Sequence, residues 1–330
     1  MIALLRRYGG LIGMIAVPVF FSIALPDTFL TVQNWINISQ QISMLVVVAA
    51  TMTVVMVVGD FDLSVGSMAS LSGVVAASLF IQDWSVPAAL ATAMLVGLAG
   101  GLFNGFIVSL IGVLPFVATL ATLTIFSGLA FVVSDGRTVF GRDIPDAFGA
   151  FARGGAPISI SDQTTFYLPN LAIVAGVVVM IVWVILEQTT YGRRLYAIGA
   201  NAEAAHFAGI PVRTLRWSAY AFTGVGGALA GLMYASRVAS ANPTQGDGLM
   251  LTSIAAVFLG MTLTRDGQAR VLATLAGVVV LGVLDNGLTQ LRIDSYVREV
   301  VLGAIILTAV GISVFGRRQL FRQASHEYPG

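Results

Sequence analysis

The chain has 330 residues, 57% of them hydrophobic and only 10% charged, whereas soluble domains carry roughly a quarter charged residues. An ordinary water-soluble globular domain is excluded, and at about 20 apolar residues per crossing helix the length accommodates about ten spans plus loops. There is no cysteine, and all 17 basic residues are arginine, so disulfides, thiolate catalysis, iron–sulfur clusters, a P-loop lysine and a pyridoxal-phosphate Schiff base are excluded as well.

Apolar windows predict a first span at residues 9–25, behind Arg6 and Arg7 and closed by Pro26-Asp27. It imitates a signal peptide, but the polar-poor chain that follows favours an uncleaved anchor. Further spans are expected at 42–58, 67–81, 88–111, 116–133, 168–186, 217–235, 250–263, 271–289 and 300–315. Those at 67–81 and 250–263 are too short for a hydrocarbon core of about 30 Å. Each is read as a half-helix facing protein or a span extended by polar flanks. Eight spans with two re-entrant helices compete with ten.

The arginines orient this series, because short inner loops accumulate positive charge. With the N-terminus inside, the inner loops and tails hold 11 of the 17 arginines: Arg6, Arg7, Arg193, Arg194, Arg213, Arg216, Arg265, Arg270, Arg317, Arg318 and Arg322. Both termini are therefore expected inside. Two connections are long. The outer one, 134–167, is rich in glycine and is expected to be a solvated loop or to fold into short amphipathic pieces that offer a docking surface. The inner one, 187–216, carries Arg193 and Arg194 and then a short helix, with Asn201 as N-cap, Glu203 in the first turn and a stop at Gly209 and Pro211. Its small residues Ala204, Ala205 and Ala208 suit insertion into a groove of an inner partner, or the helix lies on the membrane surface.

Gly59-Asp60-Phe61-Asp62-Leu63-Ser64-Val65-Gly66 joins a full span to a short one. Two carboxylates here would cost at least about 2.5–3.5 kcal/mol each if left in lipid. The plain reading is a capped break between helices, with Ser64 as N-cap and both acids near the next helix's N–H groups. Lining or gating a substrate path is the alternative, and a cation site lacks a third carboxylate. Inside the spans, Asn104, Asp285, Asn286 and Gln290 are the few polar groups. Helix packing is their default role; Asn104, Asp285 and Asn286 are also candidates for passing a hydroxylated, uncharged solute. Val96, Gly100, Leu102, Asn104 and Gly105 recur at constant offset as Val278, Gly282, Leu284, Asn286 and Gly287, a weak echo of the duplication on which transporters are built. No catalytic or metal constellation is legible: His206 and His326 lie in a loop and a tail, and no Gly-x-Ser-x-Gly elbow occurs. No cofactor is expected, and a net charge of +1 without basic runs gives no sign of a nucleic-acid partner.

The Gly59 to Gly66 segment, continued by Ser67-Met68-Ala69-Ser70-Leu71-Ser72-Gly73, resembles the Gly-Gly-x-Asp-Leu-Ser-Val-Gly-Ser hallmark of permease subunits of bacterial ABC importers for monosaccharides. Gly199 to Val212 looks like their Gly-x-Asn-x-x-Ala-Ala-x-x-x-Gly-Ile-x-Val coupling segment. Thr119-Leu120-Ala121-Thr122, Asn242-Pro243-Thr244, Ile254-Ala255-Ala256-Val257-Phe258-Leu259-Gly260 and Asp285-Asn286-Gly287-Leu288 resemble further family blocks in the same order. Asp60 stands where many ribose-type members have glycine. That feature, with Ser134-Asp135-Gly136-Arg137, is more similar to arabinose permeases. Thr264-Arg265-Asp266-Gly267 departs from the family's more common glycine-rich turn.

The resemblance implies an all-α, polytopic, type II-like importer fold of about ten helices in one permease domain. Its pseudo-repeated halves are about 1–133 and 168–315, with a periplasmic loop at 134–167 and a cytoplasmic coupling loop at 187–216. Two permeases, as a homodimer or with a paralogue, would line the path of a monosaccharide such as L-arabinose in the bacterial inner membrane. Cytoplasmic ATPase subunits would dock at Arg193, Arg194, Asn201, Glu203, Ala204, Ala205, Ala208 and Gly209, and a periplasmic sugar-binding protein would deliver the cargo. Gly59, Asp60, Asp62, Ser64 and Gly66 form the hallmark break. The chain would carry out no bond chemistry. The competing class is a secondary, ion-coupled sugar transporter.

Overall fold

The computed structural model describes residues 14–161, 164–264, 266–301, 303, 304, 307 and 308. Arg6, Arg7, Asp162, Arg265, Arg317, Arg318, Arg322 and His326 lie outside these, as does most of the expected span at 300–315. In chain order the helices are α1 (Met14–Ala24), α2 (Val32–Val57), α3 (Val65–Ile81), α4 (Val86–Phe106), α5 (Pro115–Ser134), α6 (Asp146–Arg153), α7 (Asn170–Trp183), α8 (Thr190–Ala200), α9 (Ala202–Phe207), α10 (Val212–Val238), α11 (Asp247–Met261) and α12 (Val271–Gln290). The fold is that of an all-α polytopic membrane protein. Among the described residues, five helices are long and apolar enough to cross a membrane: α2, α4 with its π turn to Ile111, α5, α7 with its π turn to Gln188, and α12.

The spans follow the apolar windows closely except at α2, which begins at Val32 rather than at residue 42. Gln33, Asn34, Asn37, Gln40 and Gln41 break the apolar window without breaking the helix. At this end the amides find partners: Asn34 Nδ2 donates to the Phe29 carbonyl at 2.9 Å, and Gln33 Nε2 to Asn37 Oδ1 one turn on at 3.2 Å. The short α3 answers the question its length posed. Nearly every position from Val65 to Ala77 is buried, so it is a helix enclosed by protein and needs no bilayer-length apolar run.

The chain divides into two compact units, Ser39–Ser253 and one drawn from its two ends, up to Ile38 and from Ile254 on. In the larger unit α10 packs against α3 and α4. On α4 the residues Ala89, Ala93, Gly97, Gly101 and Gly105 repeat every fourth position and are all buried. A Cβ at Gly97 would run into Ala228 and the Gly224 carbonyl, and one at Gly101 into the Tyr220 carbonyl, so small residues let the helix backbones touch where hydrophobic driving force between helices is absent. Trp217 Nε1 closes this seam by donating to the Leu102 carbonyl at 2.9 Å.

The expected outer connection is built of short pieces. β1 (Val139–Phe140) pairs antiparallel with β4 (Ser240–Ala241), matching Val139 with Ala241. β2 (Gly155–Ser161) and β3 (Thr164–Pro169) form an antiparallel hairpin, matching Gly155 with Pro169 and shifting register between Ser159 and Ser161. Between β1 and β2, α6 is amphipathic: Phe148, Gly149 and Ala152 are buried, Phe148 packs at a tilt against Phe80 with ring centroids 5.2 Å apart, and Ser236 Oγ donates to the Phe148 carbonyl at 2.5 Å.

Candidate functional site

Helix α2 stops at Gly59 because the chain turns left-handed there, with φ +88°. The Gly59 N–H bonds to the Met56 carbonyl and the Asp60 N–H to the Val55 carbonyl, the two bonds of a Schellman stop that glycine reaches without strain. Asp60 emerges directly after it. Its carboxylate, 3% exposed, accepts both Nε and Nη2 of Arg216 at 2.5 Å each. Arg216 lies in the second turn of α10 and is 32% exposed. Two parallel charge-assisted bonds make this a bidentate pair.

Asp62, two residues on, is buried and is the hub of a network. Its Oδ1 accepts the Ser64 N–H at 3.0 Å, the Ser64 hydroxyl at 2.6 Å and Asn104 Nδ2 at 3.3 Å, and its Oδ2 accepts the Thr223 hydroxyl. Asn104 Nδ2 also donates to Ser64 Oγ at 2.7 Å. One carboxylate thereby joins the break to α4 and α10. The expectation for Ser64 is corrected in one respect. It occupies the N-cap position of α3, but its hydroxyl makes no bond to the helix N–H groups, because its backbone is helical (φ −82°, ψ −8°) rather than extended as a capping residue's is, and its oxygen accepts the Asn104 amide instead. Gly66 allows a close backbone approach: a Cβ there would meet the Gly246 carbonyl, and Ser70 Oγ accepts the Gly246 N–H at 2.9 Å.

The connection expected on the inner side, 187–216, folds as two short helices. Thr189 caps α8 by accepting the Gly192 N–H at 3.3 Å, and Asn201 caps α9 by accepting the Ala204 N–H at 2.9 Å. Gly209, at φ +79°, ends the second with bonds from Gly209 to His206 and from Ile210 to Ala205. Arg193, Arg194, Asn201, Glu203, Ala204, Ala208 and Gly209 are exposed, whereas Ala205 is buried against the chain itself. Phe207, which the small-residue reading passed over, is 81% exposed at the end of a helix in a connection that carries no other large exposed apolar side chain among the described residues.

The remaining candidates lie in the smaller unit. Asp285 Oδ1 pairs with Arg298 Nη1 at 2.9 Å. Asn286 Oδ1 accepts from Gln290 Nε2 at 2.8 Å, which also reaches Asn34 Oδ1 at 3.0 Å, while Gln290 Oε1 accepts the Thr28 hydroxyl at 2.6 Å. Asp285, Asn286 and Gln290 are only half-buried. Among the described residues no three His, Asp or Glu side chains converge as metal ligands do. Outside the spans, burial raises the Asp266 carboxyl, but hydrogen bonds from Arg270 and the Gln268 N–H together with the Arg270 charge outweigh it and hold the group below the usual carboxylate range.

Residues 34–310 match the family described as the branched-chain amino acid transport system permease component. The chain belongs to this family. The permease is 36% identical to the ribose import permease protein RbsC of Bacillus subtilis over 93% of its own length and 92% of the relative's. It is 36% identical to the RbsC of Escherichia coli strain K12, covering 90% and 91%. It is 31% identical to the L-arabinose ABC transporter permease protein AraH of Azospirillum brasilense, covering 96% and 90%. No solved structure matches the permease.

Sequence reasoning reached both acids of the break but not their partners. Thr223 and Arg216 are separated from Asp62 and Asp60 by about 160 residues, and no local pattern pairs them. The one available signal was that Arg216 stands four residues before Tyr220 on a helix otherwise expected to start its span at 217, so its charge had to meet an acid or water.

Proposed function

We propose that this permease is the membrane-spanning subunit of an ATP-driven importer that brings a monosaccharide, a pentose in the first instance, into the cytoplasm. The observation that carries the reading is likeness along more than nine-tenths of the chain to permeases named for ribose import and for allose and arabinose transport. The reading includes the bacterial inner membrane with both termini cytoplasmic, pseudo-repeated halves at about 1–133 and 168–315, and a second permease copy. It also includes separate cytoplasmic ATPase subunits and a periplasmic sugar-binding protein. An L-arabinose preference rests on Asp60 and Ser134 to Arg137 alone, since ribose permeases are 36% identical and the arabinose permease 31%.

In this reading α9 is the coupling helix. It is capped at both ends, stands exposed beside Arg193 and Arg194, and offers Phe207 as an apolar plug for a groove on the ATPase; Ala205 serves instead to seat the helix. Asn104, with its amide bonded to Asp62 and Ser64, supports the break, while Asp285 and Asn286 are the more accessible candidates for meeting the sugar.

Two measurements test this. Co-expressed ATPase should co-purify with the permease, and Gly209→Arg, Glu203→Arg or Phe207→Asp should abolish that association while leaving the permease in the membrane. Competition for uptake among labelled ribose, arabinose and allose then ranks the cargo. Sugar uptake by the permease alone, driven by an ion gradient in proteoliposomes, would instead establish the secondary-transporter class.

A further inference from the structure

The chain at both ends of α9 is fastened to the same place, the C-terminal end of α2. At one end, Gly199 in the last turn of α8 lies so close to the Val57 carbonyl that a Cβ there would overlap it, a contact of backbone on backbone with no flexible side chain to absorb movement. At the other end, beyond α9, Arg216 grips Asp60 through two bonds of 2.5 Å. Val57 and Asp60 flank the Gly59 stop, and Asp62 follows at once, bonded to Asn104 on α4 and Thr223 on α10.

We infer that the Asp60–Arg216 pair is a coupling strut: it transmits displacement of α9 to the hallmark break, making Asp60 and Arg216 positioning residues for transport. The inference rests on the coupling role proposed for α9. The physical basis is stiffness. A bidentate guanidinium–carboxylate pair fixes angle as well as distance, and with Asp60 almost fully buried, parting the two would strand a desolvated charge. A push on α9 therefore moves the break with it rather than opening the pair. Spatial adjacency alone would not establish coupling, so the decisive quantity is the energetic interaction between the two residues in the transport cycle.

The test uses the assembled complex in proteoliposomes, with permease, ATPase and sugar-binding protein present, and with sugar uptake and ATP hydrolysis measured on the same vesicles. Arg216→Gln and Asp60→Asn are each expected to keep the ATPase bound while cutting sugar moved per ATP at least tenfold. The double variant should be no worse than either single one, the non-additivity of residues that act as a unit. Arg216→Lys keeps the charge but loses the planar fork; it serves if the neutral variants fail to assemble, and should lower the same ratio severalfold. An unchanged ratio in every variant that assembles, or uptake and hydrolysis falling together in proportion to lost complex, would show the pair to be merely structural and overturn the inference. If the unmodified permease binds no ATPase, the importer reading itself fails before any variant is made.

Discussion

Asn104 and Asn286 occupy equal places in the echoed Val-x-x-x-Gly-x-Leu-x-Asn-Gly strings, yet the protein uses them differently. Asn104 is 1% exposed and donates to an ionisable carboxylate, Asp62, and to Ser64. Asn286 is half-buried and bonds to a neutral amide, Gln290, one turn along its own helix. The glycines that follow them also differ in partner: a Cβ at Gly105 would strike Trp217, and one at Gly287 the ring of Phe21. A repeated local string thus places an amide at a similar height on a helix, and the partner delivered by the rest of the unit decides whether that amide is a structural tie or an accessible polar group.

Substitutions can break this contrast. The largest effect is expected for Asp62→Ala, which leaves the Thr223, Asn104 and Ser64 donors without their shared acceptor. Hydrogen bonds to charged groups contribute roughly 1.5–3 kcal/mol each, so a loss of about 3 kcal/mol or more is expected, read as a lower unfolding temperature of the detergent-solubilised permease. Asn104→Leu should follow with a loss of about 1–2 kcal/mol, since Asp62 keeps its Ser64 and Thr223 bonds. Asn286→Leu should cost below about 1 kcal/mol, in line with the average of roughly 0.6 kcal/mol for interhelical polar contacts in membranes, because Gln290 retains Asn34. Equal losses for Asn104→Leu and Asn286→Leu would erase the distinction drawn between the two amides.

The smallest effect belongs to the exposed Asp266–Arg270 pair, joined at 3.0 Å, which serves as a surface reference for both networks. Its carboxyl lies below the usual range in the folded protein. The pair's contribution is therefore present above the unfolded carboxyl pKa of about 4 and disappears as pH falls through the lower folded value. Arg270→Gln should lower the unfolding temperature slightly at pH 7, by an amount corresponding to at most about 1 kcal/mol, and the difference from the unmodified permease should shrink as pH falls below the unfolded carboxyl pKa of about 4.

Much of the architecture could be read from residue order because hydrocarbon is an exacting solvent. Spans must be apolar and about bilayer length, so the windows found α4, α5, α7, α10 and α12 to within a few residues. The caps were legible for the same local reason: Asn201 accepts an N–H three residues on, and the turn at Gly209 satisfies carbonyls three and four residues back. The start of α2 was missed because its first turns are amide-rich, and an amide is as compatible with a helix as a valine once it has a partner. At the break, both carboxylates could be singled out from their cost in lipid, but the assignment of capping to the Ser64 hydroxyl failed because Ser64 has a helical backbone and its oxygen accepts the Asn104 amide, a partner 40 residues away. Ala205 was grouped with Ala204 and Ala208 by size, whereas burial separates it from them, and the exposure of Phe207 depends on which way α9 is rotated.

What residue order by itself determined is the membrane as solvent, the approximate places of the helices, the absence of the lysine that a P-loop needs, and the likeness to sugar permeases. Each follows from terms that are local or additive along the chain: transfer of apolar side chains, caps, and the presence or absence of a reactive group. Only the tertiary structure decided that Asp60 is neutralised by Arg216, that Asp62 ties α4 and α10 to the break, and that Gly199 lies against the end of α2. Those contacts join residues 40 to about 160 positions apart, where the desolvation of a charge is compensated by whichever group the packed helices bring within about 3 Å, and no pattern along the chain encodes that meeting.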